Sequence, residues 1–130
     1  MPHTIDWLQT GRVIHLTLYG ETTLPEMETL GREFRRMMES GISPVHTVVD
    51  ISGVERYPRD MRQLQTLLQT ARHGSAGMLL VAGANSPMMR TVTTIISQLV
   101  FQRGRFRMVE SLDEALSLLM AHEPGLEIGQ

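Results

Sequence analysis

The sequence predicts an α/β domain built on a mixed, mostly parallel sheet of about five strands with four helices. Three observations carry that prediction. Residues 13–19 alternate strictly between apolar and polar, the mark of a strand with one buried face. Residues 78–82 are a continuous apolar run, as in a central strand covered on both faces. Two capping boxes, Thr23-Leu24-Pro25-Glu26 and Ser111-Leu112-Asp113-Glu114, each open a segment with helical spacing.

The elements follow in order. Residues 4–8 read as a short strand, with Ile5 and Trp7 alternating against Asp6, and Thr10-Gly11-Arg12 turns the chain back. In the second strand Ile14, Leu16 and Leu18 take one face, and His15, Thr17 and Tyr19 take the other. His15 reads there as a surface histidine. The first helix carries Leu24, Met27, Leu30, Phe34, Met37 and Met38 on one stripe, and Gly41 stops it. Gly31, inside that helix, costs about 1 kcal/mol relative to alanine and is read as a mark of close packing.

Residues 45–51 are a β-branched strand running through Asp50. A helix follows Tyr57-Pro58, with Met61, Leu64, Leu67, Leu68 and Ala71 on one stripe, and His73-Gly74 closes it. After the strand at 78–82, the loop 83–87 feeds a third helix bearing Met89, Val92, Ile95, Ile96, Leu99 and Val100. Residues 106–109 are the last strand, and the final helix runs from the Ser111 cap to about His122. The tail, 123–130, reads as frayed. The order β-β-α-β-α-β-α-β-α implies a hairpin followed by right-handed parallel crossovers.

Composition narrows the function. The 130 residues fit one domain, with a core at 4–122. There is no cysteine, which excludes disulfides, thiol chemistry and Cys-ligated metal. There is no lysine either, which excludes Schiff-base chemistry and a Walker lysine. No nucleophile–base pair and no metal cluster is recognisable, so no enzyme, no cofactor and no metal are expected. The formal charge is −2, without a global pull toward nucleic acid. Charge is unevenly spread, about −4 over residues 1–55, +7 over 56–107 and −5 over 108–130. Arg103, Arg105 and Arg107 alternate without an aromatic platform for bases, so they read as charge protecting an edge strand. No apolar run approaches the roughly 18 residues of a membrane span. No basic stretch precedes an apolar one at the start, so a soluble, cytoplasmic domain is expected.

In open α/β sheets, ligands and partners meet the loops beyond the carboxyl ends of the strands. Here those loops are 50–58 and 83–87. Ser52, Arg56, Tyr57, Arg59, Asp60, Asn85, Ser86 and Arg90 are the candidate partner-binding residues. Arg and Tyr are enriched among interface anchors. The helix starts near Arg59 and Met88 admit two readings, a small anion site or solvated arginines paired with Glu55 and Asp60.

Three motifs resemble the STAS domain, shared by sulfate transporters and bacterial anti-sigma-factor antagonists. Val48-Val49-Asp50-Ile51-Ser52-Gly53-Val54 is similar to its strand-ending Asp-Leu-Ser-x-Val signature. Asn85-Ser86-Pro87 before a helix resembles its second loop. The segment from Arg107 to Leu116 resembles its last strand and the start of its last helix. The chain also resembles a divergent SpoIIAA-like branch. The resemblance implies a non-catalytic regulatory module that binds a protein partner, an anti-sigma factor or kinase-like regulator, with a homodimer as the other protein partner admitted. The chain departs from the family at the phospho-acceptor. Glu55-Arg56-Tyr57-Pro58-Arg59-Asp60 stands where antagonists carry Ser or Thr, and the next hydroxyl is Thr66. Ser52 is read as a structural loop or capping residue. The alternative function is a small-ligand domain, binding lipid or nucleotide in an apolar pocket lined by some of the ten methionines.

Overall fold

A computed structural model of the chain describes residues 3–21, 23–42, 44–56, 76–84, 87, 90–91, 94 and 106–123. Five strands form one sheet in the order β1-β2-β3-β4-β5: β1 His3–Gln9, β2 Val13–Glu21, β3 Val45–Arg56, β4 Ala76–Ala82 and β5 Phe106–Val109. β1 pairs antiparallel with β2, and the other three pairings are parallel. The sheet is therefore mostly parallel with an antiparallel edge, as the alternating pattern predicts. Two helices are described, α1 (Leu24–Ser40) and α2 (Leu112–His122). The expected helix after Tyr57-Pro58, with Leu64 and Leu68, lies outside the described residues. So does most of the expected helix 89–100, with Ile96. Within that stretch Arg90, Thr91 and Thr94 have helical backbone, as has Pro87 before it. Among the described residues no helix is long and apolar enough to cross a membrane.

The helices cover opposite faces. α1 lays Met27, Leu30 and Met38 onto the face formed by Ile14, Leu16, Leu18, Val45, Ile51, Leu79 and Val81. Each such side chain contributes roughly 1.5–3 kcal/mol through apolar area removed from water. Phe34 and Trp7 each pack half-buried against that cluster. α2 sets Ala115 and Leu119 against Val13, Val48, Leu80, Ala82 and Val109, with Leu116 half-buried beside them. Buried on both faces, β4 reads as the continuous run seen in the sequence.

The caps form, each with its own geometry. Thr23 Oγ1 accepts from the Glu26 N–H at 3.4 Å, but Glu26 Oε2 is buried with no hydrogen-bond partner, so that box is half closed. Ser111 Oγ accepts from the Glu114 N–H at 3.2 Å, while Glu114 Oε2 accepts from the Glu110 N–H at 3.0 Å. The acceptor reaches one residue before the cap.

Four expectations change. β3 runs on to Arg56 instead of ending near Ile51, because β2 continues to Glu21 and supplies ladder partners: Tyr19↔Gly53, Gly20↔Val54 and Glu21↔Arg56. Two register shifts in β2–β3 accommodate the extra length. Gly41 ends α1 in extended backbone at φ −85°, with no left-handed turn. Close approach explains the glycine, since a Cβ there stands 2.6 Å from Val45 Cγ2 and 2.9 Å from the Gly11 carbonyl. A Cβ at Gly31 meets nothing within 4 Å, so close packing does not account for that glycine. His15 is half-buried and not a surface histidine: its Nε2 is out of contact with solvent and has no hydrogen-bond partner. It lies in a sheet row between Asp6 and Val48, where flanking strands shelter the ring.

Candidate functional site

The parallel strands β3 and β4 deliver their carboxyl ends to the same end of the sheet. Asp50 stands in β3 with Thr17 and Ala82 as its neighbours in β2 and β4. Two residues on, within β3, Ser52 bonds back to the Asp50 carboxylate. The Ser52 N–H donates to Asp50 Oδ1 at 2.9 Å and the Ser52 hydroxyl donates to the same oxygen at 2.7 Å. An aspartate that accepts from the backbone two residues ahead makes an Asx turn. Ser52 thus braces the irregularity in β3 where the register with β2 shifts, and its position is exposed.

Gly83 closes the other side. Its φ is +86°, which a residue with a side chain rarely adopts. A Cβ on Gly83 stands 2.6 Å from Ser52 Cβ and 2.7 Å from Ser52 N. Only glycine lets the β4 exit press so closely against β3 at Ser52. This contact holds the β4 exit against β3 at Ser52. Beyond it Arg90 is exposed, and the Thr91 hydroxyl donates to the Pro87 carbonyl at 2.9 Å, one helical turn back.

The remaining candidates are placed as follows. Arg56 ends β3 as a strand residue and not in a loop, because Glu21 of β2 pairs with it. Tyr57, Arg59, Asp60, Asn85 and Ser86 lie outside the described residues, as do the helix starts near Arg59 and Met88. Tyr19 was missed by sequence reasoning. It is 40% exposed and sits against Gly53, where a Cβ stands 2.9 Å from Tyr19 Cβ, so an exposed aromatic borders the same sheet end. Its position at the end of an alternating strand, one residue before Gly20, was the available signal.

A second cluster occupies the opposite end of the sheet, where the parallel strands begin. His46 in β3 is 1% exposed. Its Nδ1 accepts from the Met78 N–H of β4 at 2.9 Å. The proton of the neutral ring therefore sits on Nε2, which is 3.2 Å from Glu123 Oε1 at the end of α2. Arg12, in the β1–β2 turn, donates from its guanidinium to Glu123 Oε2 and from Nε to the Pro44 carbonyl at 3.4 Å. The His122 ring meets His46 edge-on with centroids 5.9 Å apart. Burial, followed by the nearby His122 and Arg12 charges, lowers the His46 pKa from 6.5 to about 4. Glu123, expected to begin a frayed tail, is held by two partners, while 124–130 lie outside the described residues. Among the described residues no group of three or more His, Asp or Glu is arranged to hold a metal ion.

The sequence matches no protein-family model and no curated protein. Solved structures do resemble it. An uncharacterized protein of the DUF3478 family with a SpoIIAA-like fold, from Shewanella loihica PV-4, superposes with a TM-score of 0.66 at 14% identity, covering 90% of this chain and 91% of that one. The Bacillus cell fate determinant SpoIIAA in its phosphorylated form gives a TM-score of 0.59 at 13% identity, over 90% of this chain and 98% of that one. The anti-sigma factor antagonist SpoIIAA in its unphosphorylated form gives 0.58 at 15% identity, over 92% and 96%. The chain has a SpoIIAA-like α/β fold with a five-stranded mixed sheet.

Proposed function

We propose that this domain is a protein-binding regulatory module that engages its partner at the carboxyl end of β3 and β4. The contact between Gly83 and Ser52 supports the reading, because it holds the β4 exit against β3 at the sheet end where both candidate segments begin. The partner class follows from the fold likeness: one of the similar structures is an anti-sigma factor antagonist, so an anti-sigma factor or a kinase-like regulator is the partner we assign. Ser52, Arg56, Tyr57, Arg59, Asp60, Asn85, Ser86 and Arg90 form the proposed contact surface, with Tyr57 as an anchor. The module works without a serine phospho-switch, since no Ser or Thr occurs between Glu55 and Gln65. It carries out no chemistry of its own.

The test is a purified complex. A candidate partner is cross-linked to the domain, identified, and its affinity measured against variants. Tyr57→Ala is expected to cost about 2 kcal/mol, near thirtyfold in Kd, with Arg59→Ala costing less and mainly slowing association. Arg105→Ala, before β5, is expected to bind normally. Normal binding by both loop variants with weakened binding by Arg105→Ala rejects the surface. The small-ligand alternative predicts a co-purified molecule in native mass spectrometry. Of the described methionines Met27 and Met38 are buried against the sheet and Met120 is exposed.

A further inference from the structure

We propose that β1 is an interface between two copies of this chain, which join strand to strand, antiparallel, about a two-fold axis at Ile5. The sheet has two edges, and they differ. β5 is four residues long, carries the exposed Arg107 and follows Arg103 and Arg105 in the sequence. Short length and charge keep a sheet edge from pairing. β1 is seven residues long, holds no proline, lysine or arginine, and has Asp6 as its one acid. Among the described residues its only neighbour in the sheet is β2, so alternate residues turn an N–H and a C=O toward an edge that no described strand meets.

The strand is complementary to itself. Its register with β2 is regular from His3 to Trp7 and shifts after Trp7, which puts Ile5 at the centre of the regular stretch. Pairing about that centre sets Ile5 opposite the partner's Ile5, Thr4 opposite the partner's Asp6, and His3 opposite the partner's Trp7. The odd positions then share the α1 face and the even positions share the other face. Thr4 and Asp6 are both exposed, so a hydroxyl donor meets a carboxylate and the two Asp6 charges stand apart. An axis moved one residue, to Asp6, sets the two carboxylates opposite each other and is disfavoured. On the α1 face Ile5 and Trp7 are half-buried against the cluster of Ile14, Met38 and Val45. Two-fold symmetry brings that margin against its own copy and removes the remaining apolar area of both residues from water. β2 separates β1 from β3 and β4, so Ser52 and Gly83 stay uncovered when the two copies join.

Sedimentation velocity on the full chain, over a range of concentrations, reads the dimer. Thr4→Asp sets an aspartate opposite the partner's Asp6 twice in each dimer and is expected to weaken association about tenfold. Adding Asp6→Lys restores an opposite-charge pair at both places and is expected to recover wild-type affinity. Both positions are exposed, so the urea midpoint of each variant shows directly that the fold is kept. A wild type that stays monomeric up to its solubility limit, a Thr4→Asp chain that dimerises normally, or a double variant that does not recover overturns the proposal. If a variant does not fold, hydrogen–deuterium exchange of the wild type decides. Protection of residues 3–7 that grows with protein concentration, while that of residues 106–109 does not, supports the interface; protection of residues 3–7 independent of concentration rejects it.

Discussion

His46 packs directly over Gly77, the ring of one strand filling the place where the neighbouring strand has no side chain. Gly77→Ala therefore drives a Cβ into a ring whose nitrogens are both engaged, with Pro44 Cβ at 3.2 Å on the other side. Overpacking of this kind costs roughly 1–3 kcal/mol. Urea unfolding is expected to show a lower midpoint with an unchanged slope. A loss under 0.5 kcal/mol means that the ring shifts freely and the cradle is loose.

Acidity should weaken the fold through the same residue. The folded pKa of His46 lies near 4, below its ordinary 6.5, so the folded state binds fewer protons than the unfolded chain between those values. The resulting stability is fully present above pH 6.5 and is lost as pH falls toward 4. Its size is on the order of 3 kcal/mol. Urea titrations at pH 7 and pH 4.5 measure it directly, and the part due to this ring should vanish in His46→Gln. A stability that stays flat over this range contradicts the assignment.

Gly83→Ala attacks the other end of the sheet. It combines a backbone angle of +86° with a Cβ placed 2.6 Å from Ser52 Cβ. The expected cost is about 1–3 kcal/mol, since Ser52 meets the new atom with backbone as well as side chain. Partner binding should fall further than stability predicts if the proposed surface is right, because the β4 exit is pushed away from Ser52. If binding is retained at full affinity under folding conditions, the proposed surface is wrong.

Incubation with a cognate kinase and ATP should leave residues 50–60 unphosphorylated. The one serine or threonine there is Ser52, whose hydroxyl donates to the Asp50 carboxylate at 2.7 Å. A phosphoryl group adds a charge of about −1.5 to −2 at pH 7, and here it would face that carboxylate. Phosphoserine mapped by mass spectrometry to position 52 contradicts this and restores a switch.

Local rules made much of the fold legible. Alternation in residues 13–19, the apolar run of β4 and the two Ser/Thr caps are encoded within a few neighbouring residues, and β5 and α2 match their expected bounds at 106–109 and His122. The same short-range signals could not find the end of β3, because Ser52-Gly53-Val54 reads as a turn until β2 offers it a ladder. Nor could they find the His46 cluster. Arg12, His46, Met78 and Glu123 are spread over 111 residues and meet only because β1–β2, β3, β4 and α2 converge at one end of the sheet. Sequence by itself determined the presence of the five strands, of α1 and α2 and of their core stripes, since hydrophobic period and capping act over one or two turns of chain. Tertiary structure alone decided which polar groups became buried partners, since desolvation depends on what distant segments place above a side chain.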